Sequence, residues 1–367
     1  MLDTHPKILV YFYPGWVRSR QFDEWEVVAS GISGFEGHWQ PRKPLRRYYL
    51  DKVEVMEDHI EKAIKHGIDG FIFCWYWDNG AIHFPEALSA FMSICKRYPN
   101  FSYGLMWANR SPHQSLPISV IDIDGDFYRA FSERIVTTNS QDILNMMEYC
   151  HQIHFQNSNY LHFEGKPFFA VFSMRDLFCS IGEPSNLPND HLKNLFGNTV
   201  SLTAVSHGME YWLEDAKRLG ISQLTSYVLL PDWHGPDIQD YVRYSNRAAL
   251  LWNIMETLSE LTFIPAVTVG WDASSRGAEP VNEGKKTYPW YPIVVNSSPK
   301  VFGVHLQKGL DFSFSRNLPA VLIASWNEWS EGHYLEPDSR YGTEWLEALN
   351  SAKISSWRRN NERYKLR

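Results

Sequence analysis

Cysteine is scarce: four thiols in 367 residues, Cys74, Cys95, Cys150 and Cys179, too far apart for a C-x-x-C pair or for a zinc pattern with the fourteen dispersed histidines. Such spacing is expected of reduced, mostly buried thiols, and the cytosol is the compartment that suits them. Basic charge is also short. Lysines and arginines number 35 against 42 acids, and the formal charge of -7 leaves no electrostatic footprint for nucleic acid. No apolar run approaches the roughly 18 residues of a membrane span, and Met1 to Pro6 lead almost at once into a strand-like run, so no signal peptide is expected. G-x-S-x-G, P-loop and H-E-x-x-H motifs are missing, which argues against esterase, phosphoryl-transfer and zinc-hydrolase chemistry. Internal repeats of 20 to 50 residues and low-complexity tracts are missing too.

What is present is aromatic and alternating. Fifteen tryptophans, nineteen tyrosines and twenty-one phenylalanines suit a carbohydrate cleft and equally a large core. Strand-like runs fall at 8–13, 70–77, 101–107, 166–172, 200–205, 221–230, 263–269 and 321–323. Helical stripes lie between them. Asp51 reads as an N-cap with Glu54 three positions on, before Val53, Met56, Ile60, Ala63 and Ile64, and Gly67 ends that helix. Further helices are expected from Pro85, over 143–154, 190–196, from Met209 to Leu219, over 238–255, 298–309 and 344–359. Residues 16–49 read as a long loop ordered by aromatics, and 270–292 as a second extended loop. Eight strands alternating with helices in one composition regime predict a single (β/α)8 barrel domain over 1–367, with long loops after strands one and seven. A doubly wound sheet is the alternative fold, but Tyr13-Pro14-Gly15-Trp16 is not the glycine-rich phosphate turn it usually carries.

The most informative stretch is 320–338, which begins as an apolar strand and ends in acids, aromatics and a glycine. It delivers Glu328 and Glu331 between Trp326, Asn327, Trp329, His333 and Tyr334. Glutamates after a strand are usually solvated or paired with an arginine. Here large aromatics crowd the same turn, and a carboxylate pair is what glycosidic-bond chemistry requires: one acid protonated for the leaving oxygen, the other ionised. In a barrel the reactive groups gather at the carboxyl ends of the strands. Those ends offer Tyr13 and Trp16, then Trp75, Tyr76, Trp77 and Asp78, then Trp107 and Asn109, then His207, Tyr227 and Asp232, and finally Trp271, Asp272 and Arg276. Flat aromatic faces with amide, carboxylate and guanidinium groups make a sugar-binding wall.

Trp326-Asn-Glu-Trp-Ser-Glu-Gly-His-Tyr-Leu-Glu-Pro-Asp338, followed by Arg340-Tyr341-Gly342 and Trp345-Leu346-Glu347-Ala348, resembles the closing motif of the WbsX family. Gly67-Ile68-Asp69-Gly70-Phe71, Trp107-Ala108-Asn109, Gly165-Lys166-Pro167 and Gly270-Trp271-Asp272 resemble earlier segments of it. That family is described as polysaccharide-biosynthesis glycosyltransferases and is related to glycoside hydrolase family 99, the endo-α-mannosidases. In those relatives the turn reads Tyr-Asn-Glu-Trp-His-Glu-Gly, so the resemblance implies that Glu328 deprotonates the sugar's own 2-hydroxyl and Glu331 serves as acid, then base. It further implies substrate contacts from Tyr13, Tyr227 and Arg276. Trp326 stands where the relatives have tyrosine and Ser330 where they have histidine, so mannose does not carry over with the motif.

Asp122, Asp124 and Asp126 form a D-x-D run that could hold a divalent metal in a nucleotide-sugar transferase, or imitate a calcium loop with Glu133. Phe127 stands where that loop needs glycine, and an acidic surface turn is the plainer reading. No metal and no cofactor is expected. The functions in play are a glycosidase cleaving an α-linked glycan with retention, a glycosyltransferase of surface-polysaccharide (lipopolysaccharide) assembly, and a barrel that only binds sugars.

Overall fold

The computed structural model describes residues 5–18, 22–110, 116–118, 138–281 and 287–365, with side chains to 360. The Asp122, Asp124 and Asp126 run lies outside them. Eight parallel strands form the centre: β1 (Lys7–Phe12), β2 (Gly70–Asp78), β3 (Ser102–Trp107), β4 (Lys166–Val171), β5 (Ser201–Val205), β6 (Gln223–Thr225), β7 (Ala266–Thr268) and β8 (Ala320–Ala324). Consecutive strands pair from β1 to β6 and from β7 to β8, and β8 returns to β1 in the register Ile8 with Val321 and Val10 with Ile323. Between β6 and β7 the ring closes through one bridge, Leu224 to Phe263, rather than a full ladder.

Strands covered on both faces are apolar throughout, and alternation decides which side chain goes where. Leu9, Tyr11, Ile72, Cys74, Met106, Phe168, Ala170 and Leu322 fill the interior. Ile8, Val10, Phe71, Phe73, Leu105, Phe169 and Ile323 face outward, under the helices. Each large side chain so buried stabilises by about 1.5–3 kcal/mol.

The helices are α1 (Glu24–Ala29), α2 (Val53–Lys65), α3 (Pro85–Ile94), α4 (Ser140–Ile153), α5 (Met174–Ile181), α6 (His191–Phe196), α7 (Tyr241–Ser259), α8 (Pro299–Ser315) and α9 (Glu344–Lys365). Several local expectations are corrected. Asp51 does not cap α2, whose N-cap is Lys52 with no side-chain bond; Asp51 instead takes the Arg18 guanidinium at 3.1 Å. Met209 to Leu219 is not an α-helix but a chain of turns around Leu213–Asp215. Its backbone bonds run mostly three residues back, as from the Asp215 amide to the Trp212 carbonyl and from Ala216 to Leu213, and Arg218 ties it to the carbonyls of Leu187 and Pro184, both at 2.6 Å. Strand six stops at Thr225, beyond which the Tyr11 hydroxyl donates to the Ser226 carbonyl at 3.2 Å. Helices α1 and α5 were not expected. All four cysteines are free, Cys179 exposed and the others buried. Among the described residues no helix is long and apolar enough to cross a membrane.

Candidate active site

Past β8 the chain doubles back, Asn327–Glu328 pairing antiparallel with His333–Tyr334. The connection is one tight turn, Trp329–Glu331, closed by Gly332 at φ +69°. A Cβ there would lie 2.9 Å from the Asp272 carbonyl oxygen, so bare glycine lets the turn rest on the exit of β7. The Asp272 amide donates to the Glu331 carbonyl at 2.8 Å. Ser325 Oγ receives the Glu328 amide at 3.0 Å and donates to the His333 carbonyl at 2.9 Å. Asn327 clamps the exit of β1, accepting the Tyr13 amide at 2.8 Å and donating to the Tyr13 carbonyl at 2.9 Å. The segment bearing both glutamates is therefore tied to the exits of β1 and β7 and to its own antiparallel return.

Arg276 stands at the centre of their side chains. Its Nη2 donates to Glu328 Oε1 at 2.8 Å, its Nη1 to Glu331 Oε1, and its Nε to Ser330 Oγ at 2.9 Å. Nη1 also meets the Tyr288 hydroxyl at 2.9 Å, and Nη2 lies 3.5 Å from Glu24 Oε1. Glu24 takes the Tyr13 hydroxyl at 2.9 Å and the Ser330 hydroxyl on its other oxygen. Burial by itself would lower the Arg276 pKa, but the surrounding Glu331, Glu328 and Glu24 carboxylates raise it, so the guanidinium stays charged. The carboxyl groups of Glu24, Glu328 and Glu331 thus share one fixed cation.

Beside Glu331, His333 Nε2 lies 3.3 Å from Oε2. Burial lowers the His333 pKa, which keeps the imidazole neutral. Its ring lies parallel to Trp271, centroids 5.8 Å apart, and edge-on to Tyr227 at 5.5 Å. Burial, then the neighbouring Cys74, Glu328 and Glu331, push the Tyr227 phenol well up, so it too is neutral. Asp272 is fully buried. It accepts from His38 at 3.1 Å, Gln40 at 2.9 Å, Arg42 at 3.3 Å and Ser274 Oγ at 2.6 Å, and so fastens the long loop after β1.

The expected site residues thus separate into groups. Glu328, Glu331, Arg276, Tyr13, Tyr227, Trp271 and Asn327 meet around the turn. Tyr76 points into the barrel with Cys74. Trp75, Trp77 and Trp107 lie on the outward faces of β2 and β3; Trp77 Nε1 donates to Asp142 at 3.1 Å and Trp107 Nε1 to the Trp77 carbonyl at 3.1 Å. Trp16 stacks on Trp25 at 4.0 Å and donates to the Asn327 carbonyl at 2.9 Å. Asn109 bonds the backbone of Ser173 in both directions, and Trp329 stacks on Tyr334 at 3.6 Å. Glu24, Tyr288, Ser330 and His333 join the cluster without having been expected there. Ser330 and His333, both within the motif turn, carried a signal in the sequence; Glu24 and Tyr288, in long connections, carried none. A cavity of about 480 Å³ opens elsewhere, between α3 and α4, lined by Phe73, Trp75, Leu88, Met92 and Tyr149 and by none of these acids. Among the described residues no group of three or more His, Cys, Asp or Glu could hold a metal.

Residues 18–349 match the family described as Glycosyltransferase WbsX. Two curated relatives, both the uncharacterized protein WxcX of Xanthomonas campestris pv. campestris, are 25% identical over 388 residues, covering 95% of this chain and 50% of their own length. The chain therefore spans about half the length of the curated relatives it matches. Among solved structures, the GH99 endo-alpha-mannosidase from Bacteroides thetaiotaomicron, in complex with BIS-TRIS-propane, superposes with a TM-score of 0.64 over 99% of both chains at 13% identity. A glycoside hydrolase-like protein gives 0.57 over 96% of this chain and 95% of its own at 15% identity. At those identities the likeness is one of fold, and the fold is the expected barrel.

Proposed function

The chain belongs to the WbsX family, and from that premise we propose a glycoside hydrolase-like, carbohydrate-active enzyme that cleaves an α-linked glycan with retention through Glu328 and Glu331. The observation that carries this reading is the shared guanidinium: Arg276 bonds both carboxylates and fixes them on one side of the same turn. Glu331 is the more open of the two, its side chain 16% exposed against 5% for Glu328, which suits the group that must reach a leaving oxygen.

In the first step Glu331 gives its proton to the departing glycosidic oxygen. Glu328 takes the proton of the sugar's 2-hydroxyl, and that oxygen closes on the anomeric carbon as the glycosidic bond breaks. In the second step Glu331 removes a proton from water, the water oxygen attacks the anomeric carbon and breaks its bond to the 2-oxygen, and the 2-oxygen takes back its proton from Glu328. The carboxyl oxygens of Glu328 and Glu331 favour the cationic character that develops at the anomeric carbon. Tyr227 and Trp271 supply the neutral aromatic wall, and Tyr13 reaches the site through Glu24.

A glycan screen with product analysis by nuclear magnetic resonance tests this. Wild type is expected to release a product of unchanged anomeric configuration. Glu331→Gln should lose turnover by roughly 10²–10⁴-fold while still binding the glycan. Full activity of that variant on the identified substrate would overturn the assignment.

The family's description favours a second reading, a glycosyltransferase of surface-polysaccharide assembly. It requires a nucleotide-sugar or lipid-linked donor. Tight binding of a uridine- or guanosine-diphosphate sugar by calorimetry, with no hydrolysis of any glycan, would select it.

A further inference from the structure

Behind the turn lies a second carboxyl that the chemistry above does not use. Glu336 is 6% exposed, and its Oε2 accepts from the Tyr48 hydroxyl at 2.6 Å and from Trp329 Nε1 at 2.7 Å. Its other oxygen, Oε1, lies 3.2 Å from His59 Nδ1. That same Nδ1 receives the Trp326 indole N–H at 3.1 Å. Indole nitrogen can only donate, so Nδ1 must be an acceptor and carry no hydrogen. An ionised Oε1 would then face a lone pair. Placing the hydrogen on Nδ1 instead would drive it against the Trp326 N–H, and a doubly protonated ring meets the same clash. The ring hydrogen then sits on Nε2, which is buried without a partner. At the 3.2 Å contact the placement that sets neither two lone pairs nor two hydrogens against each other is a hydrogen on Oε1, facing the Nδ1 that also receives Trp326.

We propose that Glu336 is a neutral carboxylic acid that donates to His59 Nδ1 and, through Trp329 and Tyr48, positions the turn bearing Glu328 and Glu331. The catalytic part of this rests on the function proposed above; the protonation does not. Trp329 follows Glu328 directly in the chain. Tyr48 also meets Asn327 Nδ2 at 3.4 Å, and Asn327 is the clamp on Tyr13. One acid therefore holds both chain neighbours of Glu328.

The groups around it agree. Burial raises the Glu336 carboxyl to about 7, against the Tyr48 and Trp329 bonds that lower it. Burial lowers His59 to about 3 and pushes the Tyr48 phenol well up, so both partners are neutral. The charged groups whose fields reach Glu336 are Lys62 and Asp58 on the outer part of α2, and these two are paired with each other. Because the folded value is raised, the contribution to stability is complete below the unfolded value of 4.5 and is lost as pH rises through about 7.

Glutamine mimics the protonated acid: its oxygen can accept from Tyr48 and Trp329 while its amide donates to His59. Infrared difference spectra of the full chain, wild type against Glu336→Gln, should show the carbonyl stretch of a neutral acid at pH 6 that fades by pH 9. Glu336→Gln should keep the wild-type melting temperature at pH 6 and the near-ultraviolet circular dichroism of Trp326 and Trp329, with no decline between pH 5 and 8. Glu336→Ala should melt lower, and on the glycan found by the screen should lose roughly a hundredfold in turnover, with the glutamine variant within about threefold of wild type. Absence of the neutral-acid band at pH 6, or a glutamine variant as impaired as the alanine one, overturns the proposal. A band that behaves as expected in a protein that turns over no glycan leaves the protonated clamp standing and removes the catalytic reading.

Discussion

Arg276 Nη2 lies 2.8 Å from Glu328 Oε1, with both side chains almost wholly buried. The same guanidinium serves Glu331 and approaches Glu24. Removing a buried partner costs more than the pair itself is worth, because the charges left behind have no counter-ion. Arg276→Ala is therefore expected to lower stability by about 3–5 kcal/mol at pH 7 in urea denaturation, and to abolish turnover. Arg276→Lys keeps the charge but cannot span the two carboxylates with a planar fork, so it should recover part of the stability and little activity. An alanine variant within about 1 kcal/mol of wild type would mean that the cluster is not held by this cation.

Gly332 occupies the left-handed region at φ +69°, and the Asp272 carbonyl oxygen stands beside the position a Cβ would take. An alanine there meets both backbone strain and a 2.9 Å contact. Gly332→Ala should cost about 1–3 kcal/mol and shift Glu331, the preceding residue, out of reach of Arg276. Thermal melting measures the first effect, and turnover on the substrate of wild type the second. A variant that melts with wild type would show that the turn can re-form elsewhere.

The thiols give a simple check of the packing. Cys74, Cys95 and Cys150 are buried and Cys179 is exposed. In native protein a chromogenic disulfide reagent is expected to titrate Cys179 fast and the other three only on unfolding; Cys179→Ser should remove the fast phase. More than one fast thiol would contradict the burial of β2 or of the helices around it.

Much of this architecture was readable from the chain. The apolar runs and helical stripes alternate often enough to count eight strands, and the switch from Val321-Leu322-Ile323 to Glu328 and Glu331 marked where chemistry gathers. The facing of individual side chains was not readable. Gly70 to Trp77 is apolar on both faces, so no alternation told Cys74 and Tyr76, inside the ring, from Trp75 and Trp77, outside it. Glu24 was hidden for another reason. It sits in a short helix within a long connection, more than 250 positions from Arg276, and only tertiary folding of that loop brings them together. The fastening point of the loop, Asp272, was expected among sugar contacts because it follows a strand, yet His38, Gln40 and Arg42 already use its oxygens.

That fastening makes the last expectation one of pH. Asp272 is fully buried, and burial alone would raise its pKa; the His38 bond, the Arg42 charge and Ser274 together hold it well below the usual carboxylate range. A depressed folded value contributes stability that is present above the unfolded value of 3.8 and is lost as pH falls toward the folded one. At pH 7 Asp272→Asn should cost on the order of 3 kcal/mol, because Arg42 loses its buried counter-charge. The gap between wild type and variant should narrow when the same urea titrations are run at pH 3. Since Asp272 holds residues 38–42 against the β7 exit, the variant should also be cut faster in the 30–45 stretch under limited proteolysis at neutral pH. A stability gap that stays constant from pH 7 to pH 3 would show that the aspartate acts through shape and hydrogen bonds alone, not through its charge.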